Sequence, residues 1–60
     1  MNNTQEELKE IILEYEAEWQ YAHNKIDEST DELKKEMYEI IRDMFSNLVY
    51  KLKKLEKYNQ

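Results

Sequence analysis

Sixty residues make at most one small domain, and a chain this short buries too little of its surface to be comfortably stable without staples. It has no cysteine, which excludes disulfides and thiolate metal sites, and no glycine, which excludes phosphate-cradling loops and the Gly-Ser nucleophile elbow. A net charge of -5 works against non-specific nucleic-acid binding, which depends on neutralising phosphates.

The lack of glycine and proline, with 38% charged residues dominated by Glu and Lys, is the composition of long helices. Disorder is disfavoured because the apolar residues are periodic and the chain carries Trp 1, Tyr 5 and Phe 1. No run approaches the roughly 20 apolar residues of a membrane span. The first seven residues lack the basic start and apolar core of a signal peptide, so the expected location is the cytoplasm. The excess of Lys over Arg and the frequent Asn, Ile and Tyr fit an AT-rich coding genome.

A single domain spanning residues 1–60 is expected, with a helix over about 4–26, a turn over about 25–29 and a helix over about 30–58. Thr4 and Glu7 have the spacing of a capping box, and residues 1–3 are expected to fray. The first helix carries a strict seven-residue repeat, Leu8, Ile12, Tyr15, Trp19, Ala22 and Ile26, with Ile11 alongside and a fainter stripe of Leu13, Ala17 and Tyr21. Past Ile26 that repeat would bring Ser29, Leu33, Glu36, Ile40, Asp43 and Asn47 into a core, a poor one, so its phase breaks there. Ser29 and Glu32 offer a second capping box among acids suited to a helix start. With no clear glycine or asparagine stop, one continuous helix is the alternative.

The second helix has two apolar seams: Tyr38, Ile41, Phe45, Leu48, Leu52 and Leu55, and beside it Leu33, Met37, Ile40 and Met44. One partner helix cannot cover both. The two helices would run about 33 and about 42 Å, leaving the second to overhang. Pairing at positions summing to about 57 brings Trp19 near Met37 and Tyr38, Ile12 near Phe45, and Leu8 near Leu48 and Leu52. Residues 1–32 carry ten acids against two bases and residues 33–60 four acids against seven bases, so antiparallel pairing sets Glu6, Glu7 and Glu10 beside Lys51, Lys53, Lys54 and Lys57. The expected fold is all-α, an antiparallel helical hairpin that dimerises into a four-helix bundle.

No catalytic, cofactor-binding or metal-ligating set emerges. His23 is the only histidine, and Gln20 stands where the Glu of a Glu-x-x-His bundle motif is needed. Glu10, Glu14 and Glu18 are spaced to share a cation, but such carboxylates are ordinarily a solvated helix face. Trp19, Tyr15, Tyr38 and Phe45 lie on the seams and read as core. Tyr21, Tyr50 and Tyr58 fall towards the outside of the hairpin and, with Met37 and Met44, are of the types that interfaces favour.

The function expected is therefore not enzymatic and needs no cofactor. It is that of a small acidic interaction module: a homodimer that binds another protein through Glu10, Glu14, Glu18, Tyr21, Met37, Met44 and Tyr50, regulating or inhibiting a bacterial or phage-related partner such as a DNA-binding or transcription protein. One alternative is a binder of nucleic acid or an anionic surface through Lys53, Lys54 and Lys57. Another is a purely structural oligomerisation module.

Overall fold

The computed structural model describes residues 3–58, which form two helices, α1 (Asn3–Glu28) and α2 (Glu32–Tyr58), packed against each other as a hairpin. Asn3 and Thr4 are both helical, so Thr4 lies in the first turn and not at a cap; the rest of the segment expected to fray lies outside the described residues.

The break falls later than expected, at residues 29–31, and Lys25 to Glu28 belong to α1. Without a glycine or asparagine stop nothing ends α1 early. Its last turn is closed by the Ser29 N–H donating to the Ile26 carbonyl at 3.4 Å, and by a Lys25–Glu28 ion pair at 3.5 Å. Glu28, and after it Tyr21, raises the pKa of the Lys25 ammonium, a cation well placed at a helix C-terminus.

Asp31, not Ser29, caps α2. Its Oδ1 accepts from the Leu33 N–H at 2.9 Å, while its carbonyl accepts from Lys35 N–H at 3.0 Å, the first bond of the helical ladder. Glu32 is thus the first helical residue and has no box partner in Ser29.

Moving the break towards the C-terminus changes two things. The helices become nearly equal, at 26 and 27 residues, so the expected overhang is absent. The pairing also shifts, because each residue by which the turn centre moves shifts the opposing position by two. Phe45 meets Tyr15 and not Ile12, edge to face, with ring centroids 5.6 Å apart and planes at 62°. Trp19 lines a cleft with Ser46 and Val49, about two turns further along α2 than the expected Met37 and Tyr38. Tyr38 instead closes the turn end, lining a cleft with Lys25 and Lys34.

On α1 the covered side chains are those of the seven-residue repeat: Ile12 and Ala22 are 5% and 1% exposed, and Leu8, Tyr15, Trp19 and Ile26 are half-buried. On α2 the covered line is Tyr38, Ile41, Phe45, Val49 and Leu52, all half-buried. Leu48 and Leu55, expected on this seam, are 37% and 52% exposed. The contact line on α2 is thus rotated from them towards Val49. The result is a rod of 48 × 14 × 11 Å with a thin core.

Candidate functional site

The two long sides of the hairpin differ in chemistry. On one, Glu16 Oε2 meets Lys53 Nζ at 2.9 Å, tying α1 to α2. Both residues sit one position round from the covered seam, and Glu16 lines a cleft with Trp19, Gln20, Ser46 and Val49 on this side. Trp19 stacks on His23 one turn later, with centroids 4.9 Å apart and planes 7° from parallel. The His23 Nδ1 is buried without a hydrogen-bond partner.

The other side is apolar. Leu33, Met37, Ile40 and Met44 run along α2 at 67%, 50%, 69% and 52% exposure, with half-buried Ile41 and exposed Leu48 along their edge towards α1. Their steps of four and three keep them on one stripe, which turns away from the covered seam. Met37 and Met44, expected as binding residues, are therefore brought together, with Leu33 and Ile40 between and beside them. On α1, exposed Ile11 lines a cleft with Glu7, Glu10, Leu13 and Glu14.

Glu10, Glu14 and Glu18 are all exposed and form one ridge of α1 that continues to Tyr21, by steps of four, four and three. Tyr21 is held under the Lys25 ammonium, 5.4 Å from its ring centroid. Tyr50 does not join these residues: it lies on the polar side of α2, with the Lys54 ammonium 5.1 Å from its ring. The expected basic patch is partly committed within the fold, Lys53 to Glu16 and Lys54 to Tyr50, while Lys57 lines an open cleft with Tyr50, Lys54 and Tyr58. Among the described residues no three His, Asp or Glu side chains converge as a metal site, and no helix is long and apolar enough to cross a membrane.

A folded monomer of 7.5 kDa exposes about 4,250 Å² on the usual scaling with mass. This chain exposes 5039 Å², more than that, as its 48 × 14 × 11 Å rod shape requires. The sequence reading singled out the stripe but missed the Trp19–His23 stack, whose signal was an aromatic four residues before a histidine. Comparison with protein-family models, with curated proteins and with solved structures gives no match for this chain.

Proposed function

We propose that this chain is a non-enzymatic protein–protein interaction module, a helical hairpin that pairs with a second copy into a four-helix bundle and then binds another protein. The observation that carries the reading is the exposed stripe of Leu33, Met37, Ile40 and Met44, which a monomer would leave in water. Contiguous apolar side chains of this size on a small soluble protein mark an interface. Once a sister chain covers that stripe, the acidic ridge of Glu10, Glu14 and Glu18 is the charged surface left for a foreign partner. A narrow helix lined with carboxylates presents the field of a nucleic-acid backbone, so the partner class is a DNA-binding or transcription protein, bacterial or phage-related, which the module regulates or inhibits.

The test joins two measurements. Sedimentation equilibrium of the purified chain is expected to give a dimer. The immobilised chain is expected to retain a protein from bacterial extract that duplex DNA displaces, and the triple reversal Glu10→Lys, Glu14→Lys, Glu18→Lys is expected to abolish that retention with the thermal melt unchanged. Retention that survives the reversal, or that DNA leaves untouched, overturns the ridge as the binding surface. A dimer that retains nothing is a structural bundle and overturns the regulatory reading.

A further inference from the structure

The exposed stripe has a symmetry of its own. Taken with Ile41 and Leu48 at its edge, it reads Leu33, Met37, Ile40, Ile41, Met44, Leu48, with steps of four, three, one, three and four. The order is the same from either end: Leu, Met, Ile, Ile, Met, Leu. A two-fold interface requires a self-complementary patch, one in which residue i meets j and j meets i. A stripe that is a palindrome about the midpoint of Ile40 and Ile41 meets that requirement when two copies of α2 run antiparallel across a dyad at that midpoint.

We infer that the second copy docks α2 against α2 in this antiparallel register, placing Leu33 in one layer with Leu48 of the other copy, Met37 with Met44, and Ile40 with Ile41. This rests on the self-pairing proposed above and specifies its surface, direction and register.

Charge fixes the direction. The antiparallel register carries Lys51 of one copy to the turn of the other, where Asp27, Glu28, Asp31 and Glu32 are all exposed. Parallel pairing would lay the Lys51, Lys54 and Lys57 end of one copy on the same end of the other, and like-charge juxtaposition opposes it. The stripe lies on the side opposite the Glu16–Lys53 pair, so a second hairpin covers it without breaking that ion pair.

The chain has no native cysteine, so single-cysteine variants report the geometry directly. Across the inferred dyad, residue 40 lies about 1.5 Å along the axis from its counterpart, and residue 33 about 22 Å, at 1.5 Å rise per residue. A disulfide needs Cα atoms within about 7 Å. In a glutathione redox buffer Ile40→Cys is therefore expected to convert almost wholly to a covalent dimer, while Leu33→Cys gives none above background. Both side chains are exposed in the hairpin, so neither substitution touches its core; circular dichroism and sedimentation of the reduced variants check this. Efficient self-cross-linking of Leu33→Cys means a parallel pair and overturns the inference. A dimer in sedimentation that neither variant cross-links pairs through another surface, which overturns the inference and leaves the self-pairing reading standing. A monomer at all concentrations overturns both.

Discussion

Asp31 is the residue on which the hairpin turns. It ends the irregular stretch, accepts from the Leu33 N–H through its carboxylate and opens the α2 ladder through its carbonyl. Losing an N-cap side chain costs about 1 kcal/mol, and for a domain of this size a loss of that order lowers the melting temperature by about 4–8 °C. Asp31→Ala is expected to show that drop in a thermal melt followed by circular dichroism, and Asp31→Asn, which keeps the acceptor, to show little. Ser29→Ala is expected to be near neutral, a contrast that separates the observed cap from the capping box anticipated two residues earlier. The sequence was ambiguous here for a physical reason. Ser29 and Asp31 are both good caps, and with no glycine or proline nearby only the packing of the helices chooses between them.

Among the elements, the covered face of α1 was legible in full and that of α2 only in part, and the cause is the width of their apolar faces. Leu8, Ile12, Tyr15, Trp19, Ala22 and Ile26 form a narrow seam, so its repeat could point in only one direction, and the structure buries or half-buries all six. On α2 the apolar residues wrap about half of the helix, from Leu33 and Ile40 round to Val49. Periodicity alone could not say which part of so wide an arc meets α1. The placement of Leu48 and Leu55 at the seam was lost for this reason, and the stripe beside it was recognised as unpartnered for the same one. The register followed from the turn, so an error of one or two residues there moved every expected cross-helix neighbour. Tyr15 against Phe45 is the contact that reports the register. Edge-to-face aromatic pairs add about 0.5–1.5 kcal/mol beyond the area they bury. A double-mutant cycle with Tyr15→Leu and Phe45→Leu is expected to return a coupling in that range, whereas a cycle of Ile12→Val with Phe45→Leu returns a smaller one. Equal couplings would mean the helices slide between registers.

Across the whole molecule, the thin core and the wide arc on α2 are one fact seen from two sides. Ile12 and Ala22 are the buried apolar side chains among the described residues, and α2 has none. Chains below about 70–80 residues rarely draw more than 3–5 kcal/mol from a single core, even when it is well filled. This one has no disulfide with which to make up the difference. If the missing burial comes from a second copy, folding and association are one reaction, and stability depends on concentration. Each tenfold dilution of a two-state dimer then removes about 1.4 kcal/mol of the unfolding free energy per dimer. Spread over the unfolding entropy of 120 residues, that shifts the melting temperature by about 5 °C. Thermal melts across three decades of concentration are therefore expected to step down by about 15 °C in all. Ile40→Asp, which sets a carboxylate at the centre of the stripe while leaving the contacts with α1 in place, is expected to abolish the concentration dependence and melt below the most dilute wild-type sample. A melting temperature that ignores concentration in the wild-type chain would mean that the hairpin stands alone, with the whole arc on α2 open to a foreign helix.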